Sequence, residues 1–101
     1  MKQPTPPMTA ESVERLRFAI VRRACIDYNT AYFDRKALER KGAARKLSKR
    51  DSEALMKAKA METECLNFFR SGWYAMLCDV EPDALIKGLT VRRLKEKEYD
   101  L

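Results

Sequence analysis

The chain has 101 residues, enough for one domain with one modest core. Hydrophobic residues make up 46% and charged residues 36%, a globular composition that excludes a disordered chain, and no apolar run approaches the length of a membrane span. There is no histidine, which excludes Ser–His and Cys–His nucleophiles and histidine metal sites.

Glycine and proline are scarce, with three and four copies, and Pro4, Pro6 and Pro7 crowd the first seven residues. The body of the chain is therefore nearly free of helix breakers, and an all-α fold is expected. Residues 1–8 read as a flexible extended tail, and residues 9–101 as a single helical domain. MKQPTPPMT is polar where a signal peptide needs an apolar stretch, so a cytoplasmic protein is expected.

Thr9 is placed to cap a long first helix, with Glu11 and Glu14 in its first turns. One apolar row runs Phe18, Val21, Cys25, Tyr28, Tyr32. A second runs Val13, Leu16, Ile20, Ala24, Ala31. Two rows make a face too wide for one partner, so this helix is expected at the centre, with Arg15, Arg22, Arg23 and Thr30 in water. The pattern fades after Leu38, and Gly42 is the expected terminator.

Ser48 and Asp51 match a capping box opening a second helix, from about Lys49 through Phe69. Its apolar row is Leu55, Ala58, Met61, Cys65, Phe68, Phe69. A helix, a short loop and a helix imply an antiparallel hairpin with its tip at about residues 35–50. Ser71–Gly72 is expected to break or kink the chain. Trp73, Met76 and Leu77 would then return to the core, and an exposed Trp73 or Tyr74 would instead mark a partner-binding hot spot. Asp79 or Glu81 caps a short helix with Pro82 in its first turn and Leu85, Ile86 and Leu89 on its apolar face. The end, TVRRLKEKEYDL, reads as a last turn or a frayed tail. The expected fold is thus a long central helix, an antiparallel partner and one or two short C-terminal helices.

The charge is concentrated. Residues 35–50 carry Arg35, Lys36, Arg40, Lys41, Arg45, Lys46, Lys49 and Arg50 against Glu39, eight minus one, or +7. The rest of the chain holds 13 basic and 14 acidic residues, a balance of −1, so the whole net charge of +6 resides in the tip. Such a cluster suits phosphates, or else simply keeps a loop hydrated. The tip lacks interleaved aromatic residues, which favours phosphate contact over base stacking. Arg40, Lys41, Arg45, Lys46, Lys49 and Arg50 are the candidate nucleic-acid contacts, joined by Arg92 and Arg93 if the C-terminal segment lies nearby.

Other chemistry is thin. Cys25, Cys65 and Cys78 are odd in number and fit no zinc or redox spacing, and read as buried reduced thiols. No glycine-rich phosphate loop occurs, and no catalytic residue, metal or cofactor is expected. Glu39-Arg40-Lys41 resembles half of a metal-dependent nuclease motif, which needs a strand that the sequence does not predict. Residues 70–89 can be laid on a helix-turn-helix, with Ala75 at the small position, Asp79 in the turn, Val80 as the apolar residue after it, and Ala84 and Leu85 facing inward. Asp79 stands where glycine is usual, and the second helix opens with acids that would face phosphates. Only Lys87, Arg92 and Arg93 would help. An ordinary helical corner is the reading.

FFRSGWYAMLCDVEPDALIKGL, with AIVRRACIDYNTA upstream, resembles a group of small proteins encoded by phages and prophages of Gram-positive bacteria. There a helix with an FF-x-S-x-W-like stretch leads into a D-V or D-L turn and an L-I-x-x-L helix. The resemblance spans roughly two-thirds of the chain; the basic segment is longer here than in that pattern. The group carries no assigned activity, so no functional residue is transferred. The resemblance implies an accessory protein in a bacterial cytoplasm that binds DNA or binds and blocks a host protein. Nucleic acid is the leading expected partner. The alternative is a protein-interaction module whose tip meets an acidic surface, and a homodimer through the wide face of the first helix suits either reading.

Overall fold

A computed structural model describes residues 9–94. The expected tail over residues 1–8 and the last part of the C-terminal segment, from residue 95, lie outside the described residues. The fold is all-α: α1 (Ala10–Ala44), α2 (Lys49–Phe69), α3 (Gly72–Leu77) and α4 (Pro82–Gly88).

Each helix begins where a side chain satisfies orphan backbone donors. Thr9 accepts from the Ser12 amide at 3.0 Å, Ser48 from the Asp51 amide at 3.1 Å, and Ser71 from the Tyr74 amide at 3.2 Å. The Glu81 carboxylate takes the amides of both Asp83 and Ala84, with Pro82 supplying a first helical residue that has no N–H. Among the candidate caps of α4, Glu81 thus performs the role and Asp79 does not. The break at Ser71–Gly72 is real: α2 ends at Phe69, and the Ser71 hydroxyl both donates to the Phe68 carbonyl at 2.6 Å and caps α3.

Gly42 does not terminate α1, which runs on to Ala44. The glycine makes room instead. A Cβ there would meet Leu47 Cγ at 3.2 Å, so Leu47 folds back over the last turn of α1. The cost of about 1 kcal/mol for an interior glycine is tolerable where it admits a loop side chain.

α1, about 52 Å long at 1.5 Å per residue, packs against α2 and α3. Contacts with α2 step in opposite directions along the two helices: Lys41 with Asp51, Arg35 with Glu62, and Tyr28 with Phe69. Tyr28, Cys65, Phe69, Tyr74 and Leu89 form the core, with Val21, Cys25 and Tyr32 of α1 packed on it. Its rings meet edge to face, Tyr28–Phe69 at 5.9 Å and Phe69–Tyr74 at 5.7 Å between centroids.

Several expected core residues are outside it, Met61 of α2 among them at 38% exposed. Trp73 is 57% exposed and Met76 77% exposed, whereas Tyr74 is buried. The six residues of α3 present one narrow face, and Tyr74 takes it because its hydroxyl reaches the Val80 carbonyl at 2.8 Å. In α1 the wide face is covered only in part: Leu16 and Phe18 are both about half exposed, and Arg22, expected in water, is half-buried.

The C-terminal segment is tied down by a residue with no signal in the apolar pattern. Asn29, fully buried in the middle of α1, donates through Nδ2 to the carbonyls of Leu89 (2.8 Å) and Arg92 (3.0 Å), and its Oδ1 accepts from the Leu94 amide (3.0 Å). Each buried polar group needs such partners, and here one amide side chain serves three backbone groups.

Candidate functional site

The connection between α1 and α2 is only four residues, Arg45 to Ser48. It is held from three sides: the Ser48 cap, Leu47 against Gly42, and Lys41 Nζ bonded to the Asp51 carboxylate at 2.6 Å. The Lys41 ammonium holds the Asp51 carboxyl below its ordinary range. Lys41, Arg45, Lys46, Leu47, Ser48 and Asp51 line a shallow recess of about 410 Å³ at this turn.

The eight bases of residues 35–50 divide into two sets. Arg35 is structural: its guanidinium grips Glu62 of α2 through Nε and through Nη2, the latter at 3.1 Å, and also bonds Glu39 one turn on. The hydrogen bonds to Glu62 lead in raising its already high pKa. Glu62 is thereby a buried acid with a paired charge, a position the sequence pattern did not single out. Lys41 is the second committed base. Lys36, Arg40, Arg45, Lys46, Lys49 and Arg50 make no ion pair among the described residues and are all exposed. Of the six candidate contacts in this segment, five are therefore unpaired, and Lys36 joins them.

Arg92 and Arg93 sit elsewhere. Arg93 bonds Asp34 at 2.9 Å, and its guanidinium lies 5.8 Å from the Phe33 ring centroid. Asp34 precedes Arg45 by 11 positions, about 16 Å along the helix. Arg92 uses its carbonyl on Asn29, and its side chain is exposed.

The Glu39-Arg40-Lys41 stretch lies inside α1, with Glu39 on Arg35 and Lys41 on Asp51, so these residues are not on the strand a nuclease motif requires. The helix-turn-helix positions do not turn inward as a group. Ala75, Val80 and Ala84 are exposed and Leu85 alone packs against the core. Cys65 is buried, and Cys25 and Cys78 are half-buried; all three are free thiols. Burial pushes the Cys25 and Cys65 thiols up to about 11, which leaves little thiolate at neutral pH.

A second surface feature lies near the other end of the molecule. Ile20 and Ala24 of α1, Met61 and Phe68 of α2 and Trp73 of α3 line an apolar groove of about 470 Å³, with Arg23, Asp27 and Glu64 at its margins. Trp73 stands on the Phe68 ring edge to face at 5.6 Å. The sequence marked these aromatic residues as core by default, and only the orientation of α3 brings Trp73 out. Among the described residues, no helix is long and apolar enough to cross a membrane. No protein-family model matches the chain, and no curated protein and no solved structure matches it significantly.

Proposed function

We propose that this chain is a non-enzymatic accessory protein, of the phage or prophage kind its sequence resembles, that binds nucleic-acid phosphates through the basic tip of an antiparallel helical hairpin. One observation carries the reading: six bases without ion-pair partners among the described residues, Lys36, Arg40, Arg45, Lys46, Lys49 and Arg50, are exposed on and beside a single braced turn. Solubility does not require such density, and neutralising phosphates releases counterions, a gain that grows with each contact. Because the bases sit on helix ends and a short loop, without aromatic platforms among them, the contact is to backbone and not to base edges. Arg92 and Arg93 play at most an outlying part, since Arg93 is already spent on Asp34.

Fluorescence anisotropy with short labelled duplex DNA and RNA tests this. If all six bases engage phosphates, affinity falls roughly 10³-fold between 50 and 200 mM salt. A variant with Arg40, Arg45, Lys46 and Lys49 changed to glutamine, which leaves the Lys41–Asp51 pair in place, should lose most binding at low salt. No binding of either nucleic acid at low salt sinks the reading. The second reading, a protein-interaction module, draws on the exposure of Trp73 beside an apolar groove. It predicts affinity that depends on one or two such anchors and little on salt.

A further inference from the structure

The groove beside Trp73 has no cover among the described residues, and the same chain carries a segment shaped to fill it. The row Val13, Leu16, Ile20, Ala24 runs along one side of α1 at steps of three and four. Its second half, Ile20 and Ala24, forms one wall of the groove; its first half continues past the groove, with Leu16 exposed and Val13 half-buried. Leu16 is 51% exposed, and among the described residues the hydrogen bonds and ion pairs of residues 9–17 all stay within α1: Thr9 with Ser12, Glu11 with Arg15, Glu14 with Arg17. Among the described residues, the first turns of α1 thus make no hydrogen bond or ion pair to another helix and carry a short apolar edge.

We infer that two copies of this chain pair about a two-fold axis near Ile20, each laying the Val13–Leu16 edge of its α1 into the Ile20/Ala24/Met61/Phe68/Trp73 groove of the other. Three features favour a second copy over an unrelated partner. The projecting edge and its receptor are adjacent on one row, so an antiparallel pairing of two α1 helices satisfies both at once and closes without leaving either free. The contact is made twice, so each needs only about 400 Å² per partner to reach the roughly 800 Å² of a stable interface. At the groove Asp27 is paired with Arg23 at 3.1 Å, which leaves Glu64 as the acid without an ion pair among the described residues, while the projecting edge is flanked by Arg15 and Arg17, whose present partners are exposed i,i+4 and i,i+3 pairs of small worth.

Electrostatics permits this arrangement and opposes the alternatives. Ile20 lies 25 positions from Arg45, about 37 Å along α1. In the antiparallel pair the two +7 tips point to opposite ends, roughly 70 Å apart and many Debye lengths from each other. A pair made through the tips would press like charges together. The pairing stands independently of what the tips bind.

Trp73 is the single tryptophan, so its emission reports the groove without a label. Sedimentation equilibrium and Trp73 emission should be followed together from low to high micromolar concentration. The expected result is a monomer–dimer equilibrium in which the emission moves to shorter wavelength in step with the dimer fraction. Leu16→Glu on the projecting edge and Met61→Glu on the groove, both at exposed positions, should each yield a folded monomer by circular dichroism with water-like emission. A monomer at all concentrations overturns the inference and leaves the groove to another chain. A dimer that persists in both variants, with Trp73 emission unshifted, overturns it equally, because the copies would then meet elsewhere.

Discussion

The two ends of the molecule are stabilised by different physics. At the turn, residues 45–51, Leu47 and Asp51 are the half-buried residues; caps, one loop leucine and the Lys41–Asp51 pair hold it. At the other end Tyr28, Phe69 and Tyr74 interlock with Leu89, and Asn29 ties the C-terminal segment onto them. The tip holds charge in water at little cost to the fold, and the aromatic end holds the fold with little charge. Stability and the proposed binding should therefore respond to different substitutions.

That separation can be broken deliberately, starting where the effect is greatest. Phe69→Ala removes a fully buried ring from between Tyr28 and Tyr74 and should cost about 4 kcal/mol, much of the stability of a domain this size. Urea denaturation would register it as a large drop in midpoint. Asn29→Ala removes three hydrogen bonds to backbone groups and should cost about 3 kcal/mol. Hydrogen exchange adds a sharper readout: the Leu94 amide should lose its protection while amides within α2 keep theirs.

Glu62→Gln sits between the two regimes, since it leaves the half-buried Arg35 with Glu39 as its remaining ionic partner among the described residues. It should cost about 2 kcal/mol in the same denaturation experiment, with nucleic-acid affinity held or slightly raised. The glutamine substitution of Arg40, Arg45, Lys46 and Lys49 should move stability by only about 0.5 kcal/mol while removing most of the proposed binding. A large loss of stability there would show that the tip is structural and would end the comparison.

The smallest effect is the pH dependence of the clip. The folded-state pKa of Asp51 is lowered, chiefly by its hydrogen bond to Lys41, so its contribution is present above its unfolded value near 4 and is lost as pH falls through the lowered folded value. The melting temperature of Asp51→Asn should lie slightly below that of the parent at neutral pH and converge with it in acid.

Legibility followed range. The Thr9 and Ser48 caps, the span of α2 and the break before Gly72 were all readable, because each depends on hydrogen bonds between residues three or four apart. Gly42 misled because its role is steric and belongs to Leu47, five residues on and outside the helix. Trp73 and Tyr74 were equally aromatic on paper. Which one is buried depends on how the short α3 is rolled against Phe68 and Phe69, and on a carbonyl at Val80 that only a phenol can reach. The candidate tip was legible as a charge count, but the division into bound and unpaired bases was not. Arg35 is claimed by Glu62, 27 residues away, and Arg93 by Asp34, 59 away.

The sequence by itself determined an all-α chain, where most helices begin and break, and a positive excess confined to sixteen residues. These are properties of composition and of contacts within one turn, and they hold before any helix meets another. The tertiary structure decided which apolar residues are covered, which bases are spent on carboxylates, and that an asparagine in mid-helix secures the C-terminal segment. Those outcomes depend on how α1, α2, α3 and the C-terminal segment come together, and no periodicity within a single helix encodes which groups its neighbours will bring to it.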